Sequence, residues 1–330
     1  MKRWLISAVV IIVVVGFFIF RPKANNALKH VTVGFQSSPP MALLMIAKDK
    51  GFFEKQGLDV ELKEFTAGKF ALGAFLGGSL DFSVSADVPP LLAALQGNQF
   101  VVPAQLVKQT KSEVRVVAKK DGDLNDAAAY FKAKKRKLAT LSGGGPEFFT
   151  YEFLNKLGIK KEQIEIINQK PEDMVAALMS GSVDAISMFD PVAYVAEQQM
   201  GDNAIIFTDE AIYSELYVIE APISVKTDSA VLEKFLLALK DAEQFLQENP
   251  DAVKEVVAKY TKLDRKTVDG VWGNTNFGLS LTPQLLEYWK REVAWAKDVG
   301  KIANDVEVPN VENYIYSAPL RKIDPTAVSF

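Results

Sequence analysis

From residue 31 onward, short runs of β-branched and aromatic residues alternate with stretches whose apolar positions recur every three to four residues. The pattern predicts strand then helix at 31–35 and 41–50, at 58–65 and 69–76, and at 82–85 and 88–96. It continues with strands at 100–107 and 113–119, a helix at 124–133, a strand at 137–141 and a helix at 147–157. After these come a strand at 164–168, a helix at 172–180, a strand at 185–188, a helix at 191–200, and strands at 204–208 and 216–225. This repetition predicts an α/β fold with mixed, mostly parallel sheets. The last third changes period: 230–248, 250–260, 265–275 and 283–299 read as helices with Asp or Thr start signals and Pro in first turns, giving a helical C-terminal segment.

Two half-units within this pattern look alike. Gly77 to Val84 reads Gly-Gly-Ser-Leu-Asp-Phe-Ser-Val, and Met179 to Ile186 reads Met-Ser-Gly-Ser-Val-Asp-Ala-Ile; in both, a helix ends at Gly and an Asp leads into an apolar strand. Two similar lobes follow. Extended stretches near 111–115 and 220–225 would link them, so residues 27–113 and 223–330 form lobe 1 and residues 114–222 an inserted lobe 2.

The N-terminus adds a location. Lys2 and Arg3 precede an apolar run from Trp4 to Phe20, the n-region and h-region of an export signal. No A-x-A follows it, and with no cysteine a lipoprotein anchor is impossible, so residues 1–26 read as a signal anchor ahead of a cleaved signal peptide. The body is expected outside the cytoplasm, in the periplasm or its equivalent, tethered if the segment is kept.

Composition removes most catalytic chemistry. Cys 0 excludes disulfides, thiolate nucleophiles and cysteine-held metals, and His 1 leaves any histidine-based site resting on His30 alone. The net charge is −3, and four of the basic residues, Lys2, Arg3, Arg21 and Lys23, fall in the first 26 residues where there is no acid. The acidic body lacks the footprint of a nucleic-acid binder. No catalytic residue, metal or cofactor is expected.

The residues also resemble a known family. Val-Thr-Val-Gly-Phe at 31–35, the A-K-x-x-G-x-F-x-x-x-G-L-x-V pattern within 47–62, Leu-Gly-Gly-Ser-Leu-Asp-Phe at 76–82, Leu-Met-Ser-Gly-Ser-Val-Asp-Ala at 178–185 and Phe-Asp-Pro-Val-Ala at 189–193 occur in the order seen in one group. That group is the extracytoplasmic solute-binding proteins of ABC importers for nitrate, taurine, alkanesulfonates and thiamine-precursor pyrimidines. The resemblance implies a two-lobe periplasmic-binding-protein fold of type II kind, a hinge crossed twice, a small-molecule ligand between the lobes and an ABC permease as partner to a monomeric binding protein.

In such sheets ligands sit at the carboxyl ends of strands, beside helix N-termini. That rule selects Gln36, Ser37, Ser38 and Met41; Gly68 and Lys69; Ser85, Ala86 and Asp87; Ser142, Gly143, Gly144, Gly145 and Glu147; and Phe189 and Asp190, all in loops where the family makes ligand contacts. Asp87 and Asp190 also suit plain helix capping, and Glu147 suits a first turn through the helix dipole alone. The loops hold one cation, Lys69, against the carboxylates Asp87, Glu147 and Asp190, which favours a neutral or cationic heterocycle, pyrimidine-like or amine, over a sulfonate, taurine or nitrate. Two other classes fit the fold. An enzyme resembling thiamine-pyrimidine synthases would use histidine and cysteine clusters that this chain lacks. A membrane-tethered ligand sensor would use the uncleaved anchor.

Overall fold

A computed structural model describes residues 27–330. The run from Trp4 to Phe20 lies outside the described residues, and among these no helix is long and apolar enough to cross a membrane.

The chain runs β1 (Lys29–Gln36), α1 (Ala42–Asp49), α2 (Phe52–Lys55), β2 (Leu58–Phe65), α3 (Gly68–Leu76), β3 (Phe82–Ala86), α4 (Val88–Leu95) and β4 (Val101–Thr110). It continues through β5 (Arg115–Lys119), α5 (Ala127–Ala133), β6 (Arg136–Thr140), α6 (Gly145–Lys156), β7 (Ile164–Asn168), α7 (Pro171–Ser180), β8 (Ala185–Met188), α8 (Val192–Met200) and β9 (Ala204–Phe207). Last come β10 (Tyr217–Ala221), α9 (Ala230–Glu248), α10 (Pro250–Thr261), α11 (Arg265–Trp272), β11 (Thr275–Ser280), α12 (Gln284–Asp298) and α13 (Ala318–Ile323).

Two sheets form two lobes. One is six-stranded in the order β11-β4-β10-β3-β1-β2, the other five-stranded in the order β7-β6-β8-β5-β9. Both are mixed. The β-α-β units pair in parallel, β1 with β2 and β3, and β6 with β7 and β8. The pairs of β10 with β3 and β4, of β11 with β4, and of β5 with β8 and β9 are antiparallel. Antiparallel pairing therefore takes a larger share than the β-α repetition suggests.

The two half-units use their aspartates identically. Asp81 accepts from the amide of Thr32 at 2.7 Å, and Asp184 from the amide of Lys137 at 2.8 Å. Each carboxylate thereby fixes the start of its buried strand against the neighbouring one. The long amphipathic α9 covers lobe 1, with Phe235 against Phe53 at 5.2 Å and Phe82 at 5.1 Å between ring centroids. Burying such a ring contributes about 1.5–3 kcal/mol.

The chain leaves the larger sheet after Thr110 and re-enters it at β10, so the return comes at residues 208–216, ahead of the 220–225 stretch that the sequence suggests. The two crossing segments are bonded to each other. Ser214 Oγ donates to the Thr110 carbonyl at 2.7 Å and accepts from the Thr110 amide at 3.1 Å, and Thr110 Oγ1 donates to the Glu215 carbonyl at 3.0 Å. A second difference is β11, which occupies residues that begin where the expected helix at 265–275 ends. It reaches its sheet by pairing with β4 through an irregular register.

Candidate functional site

The lobes meet along the carboxyl ends of β1, β3, β6 and β8. Two spaces lie between them. The inner one holds only about 10 Å³, roughly the room for one water, and is lined by Gln36, Ala67, Gly68, Lys69, Ala86 and Pro89 from lobe 1. Leu141, Gly144, Gly145, Pro146 and Phe189 face them from lobe 2, and Glu215 closes the floor from the return crossing. The outer space, about 380 Å³, lies at the mouth between Gln36, Ser37, Glu64, Phe65 and Thr66 on one side and Pro171, Glu172, Phe189, Pro191 and Val192 on the other. The lobes thus stand closed, and a ligand enters the inner space only if they part.

Gly145 permits this closeness, and Gly68 permits close packing within lobe 1. A Cβ on Gly68 would lie 2.7 Å from Ser85 Cα, and one on Gly145 would collide with Glu215 Oε1 and sit 2.5 Å from the Tyr213 hydroxyl. Gly68 opens α3 and Gly145 opens α6, so the positive ends of two helix dipoles converge on the inner space. Lys69 Nζ spans the gap, donating to the Ser142 carbonyl at 2.6 Å. Burial and the neighbouring Lys301 charge hold this ammonium below the ordinary lysine value, against the opposing pull of Glu147.

The remaining selected residues divide by what they bond. Gln36 accepts from the Gly68 amide at 3.3 Å and donates to Ser38 at 3.2 Å, setting the loop after β1. Ser37 faces the mouth. Met41 is fully buried in the lobe 1 core and Ser85 gives its hydroxyl to Glu220, so neither lines the two spaces. The Gly143 amide donates to Glu147 at 2.6 Å, and Ser142 Oγ accepts from Lys301 at 2.7 Å.

The three carboxylates counted in these loops are each already engaged. Asp190 pairs with Arg115 at 2.9 Å, accepts from Asn274 at 2.8 Å and caps the Tyr194 amide at 3.2 Å. Glu147 pairs with Lys301 at 2.9 Å. Asp87 is fully buried, accepts from the Tyr213 hydroxyl, and burial pushes its pKa up to about 6. Glu215, outside the loops the rule selects, is pushed up to about 8 by burial and by Asp87, which favours its protonated form. Arg115 and Lys301 were also missed. They arrive from β5 and from beyond α12, and no spacing in the loops announces them. With both in place the inner space is no longer negative: its charged lining group is Lys69.

Two lobes joined by two cross-bonded segments, with a shared cleft at the strand ends, define a protein of the periplasmic solute-binding class. Comparison with known proteins agrees. The NMT1-like family model matches residues 24–265, and the chain belongs to that family. It is 25% identical over 280 residues to a putative aliphatic sulfonates-binding protein of Bacillus subtilis, covering 82% of each chain. It is 24% identical over 278 residues to the taurine-binding periplasmic protein of Escherichia coli, again covering 82% of each. Among solved structures, the alkanesulfonate-binding protein of Xanthomonas axonopodis bound to MOPS superposes with a TM-score of 0.74 at 19% identity, over 87% of this chain and 98% of that one.

Proposed function

We propose that the protein is the extracytoplasmic solute-binding component of an ABC importer and that its ligand carries a compact oxyanion, a sulfonate foremost. The observation that carries the anion is Lys69, set where the N-termini of α3 and α6 converge, with the nearby carboxylates bonded to Arg115, Lys301 and Tyr213. Protonated Glu215 adds a donor at the floor. Two of the loop acids that favour a cation on sequence grounds, Asp190 and Glu147, are thereby ion-paired, and relatives named for sulfonates and taurine support the same reading. Gln36, Gly68, Gly144, Gly145 and Phe189 would surround the rest of the ligand, closure would bury it, and a membrane permease would receive it. Residues 27–110 with 217–330 form lobe 1 in this reading, and 115–207 form lobe 2.

A thermal-shift series with taurine, ethanesulfonate, nitrate, a hydroxymethylpyrimidine and small amines tests the ligand. A sulfonate is expected to raise the melting temperature most. Stabilisation by the pyrimidine or an amine alone would return the site to the heterocycle reading.

A further inference from the structure

The two crossings between the lobes meet at one hydroxyl. Glu113 lies on the first crossing, between β4 and β5, and Glu215 on the return; Tyr217 opens β10, and all three side chains are buried. Tyr217 Oη stands 2.8 Å from Glu113 Oε1 and 2.9 Å from Glu215 Oε2. A phenol has one hydrogen to give and an ionised carboxylate can only accept, so the hydroxyl serves both carboxyls only if one of them carries a proton and donates to it. Glu113 Oε2 has no hydrogen-bond partner among the described residues, so an ionised Glu113 would keep a buried oxygen without a donor. The cations nearby are engaged elsewhere. Arg115, which faces Glu113, is held by Asp190 at 2.9 Å and Glu197 at 3.4 Å, and Lys69, which shares the inner space with Glu215, donates to the Ser142 carbonyl. Glu215 otherwise faces Asp87, Tyr213 and Glu292 of α12, and the Arg291 beside Glu292 pairs with Glu152 at 3.0 Å. Burial first, then the charges of Glu215 and Asp190, hold Glu113 well above the ordinary glutamate value, and Glu215 is pushed up to about 8. Lobe 2 covers this group, because a Cβ on Gly145 would collide with Glu215 Oε1.

We propose that the hinge is a proton-operated clasp: one proton shared by Glu113 and Glu215 through the Tyr217 hydroxyl holds the crossings together and the lobes closed, and its loss lets them part. With both carboxyls ionised, Tyr217 donates to only one of them and two like charges stay buried without a cation. Water reaches Glu215 once Gly145 lifts away, so opening of the lobes relieves the charge. The closed arrangement is therefore complete while the proton is held and is lost as the pH rises through about 8. The clasp needs no ligand, and its failure would leave the anion reading of the cleft untouched.

The test is small-angle scattering of the full chain without ligand between about pH 6 and about pH 10, with circular dichroism to show that the secondary structure is kept. The radius of gyration is expected to grow with a midpoint near 8, and the infrared carbonyl band of a protonated buried carboxyl to vanish over the same range. In the double variant Glu113→Gln with Glu215→Gln, the amides donate without titrating, so the lobes should stay closed throughout and that band should be missing. Asp87→Asn should keep the opening but move it to lower pH, because the Asp87 charge no longer raises Glu215. A wild-type radius that is constant across the range would overturn the clasp. So would an opening that persists in the double variant, which would assign the titration to Asp87 and Glu292, or a carbonyl band that survives while the radius grows.

Discussion

Each lobe ends a buried strand in an aspartate that leads through proline into a helix, Asp87 after β3 and Asp190 after β8, yet the two carboxyls live in opposite surroundings. Asp190 has Arg115 at 2.9 Å, an amide donor from Asn274 and a capping bond to Tyr194. Asp87 has no cation. It meets the Tyr213 hydroxyl, with the buried carboxyls of Glu215 and Glu292 close by, and the Trp289 indole binds its carbonyl at 3.0 Å. The same local pattern thus yields an ion pair in one lobe and, in the other, a carboxyl without a cation whose pKa burial raises. The charge of a cleft is decided by side chains that arrive from elsewhere in the fold, and counting acids in the loops does not give it.

The largest effect that would break this contrast is expected from Arg115→Met. Asp190 would then be buried without a cation, at a cost of about 3–5 kcal/mol of stability by denaturant unfolding, and adding Asp190→Asn should restore much of it. A loss that does not shrink in the double variant would mean that Arg115 acts through packing alone.

Asp87→Asn probes the other side through pH. The folded carboxyl keeps its proton up to about 6, whereas an unfolded aspartate releases it near the ordinary value of 3.8. Its contribution is therefore fully present below about 3.8 and is lost as the pH rises through about 6. Replacing it with Asn should flatten the stability curve across that window by up to about 3 kcal/mol. An unchanged curve would show that Asp87 is ionised in the fold. The neighbours that share this behaviour are Tyr213, Glu215 and Glu292, all pushed upward by burial first.

A smaller change comes from Gly145→Ala. Its methyl would press on Glu215 and Tyr213, costing about 1–3 kcal/mol or holding the lobes apart. Small-angle scattering should then report a larger radius of gyration than for the wild-type chain. An identical radius with unaltered stability would mean that Tyr213 and Glu215 yield freely.

Much of the architecture is legible in the chain because β-α units announce themselves locally. The strands at 31–35, 58–65 and 82–85 and the helices after them need only alternation, glycine turns and an aspartate at the strand start. β11 was not legible. Thr275–Ser280 is polar at its start, contains Gly278 and takes its strand character from pairing with β4, more than 160 positions earlier. The place of the return crossing is not legible either: β10 is buried along its whole length, Glu220 included, and nothing within it tells which sheet it joins. For the candidate site, the loop rule selects Gln36, Gly68, Lys69, Ala86, Gly144, Gly145 and Phe189, which sit at strand ends and line the cleft. Glu215 and Arg115 lie at a crossing and at a strand start, places the rule does not search. Met41 and Ser85 satisfied the rule by position but turn into the core and towards Glu220.

The most direct test of the central claim, that Lys69 and two helix N-termini hold an oxyanion, is calorimetric titration of ethanesulfonate against the wild-type chain and Lys69→Met. Removing one charge-assisted hydrogen bond is worth about 1.5–3 kcal/mol, so the variant should bind roughly ten- to a hundred-fold more weakly at an unchanged melting temperature. Equal affinity in both proteins, or binding of the hydroxymethylpyrimidine with none of the sulfonate, would contradict it.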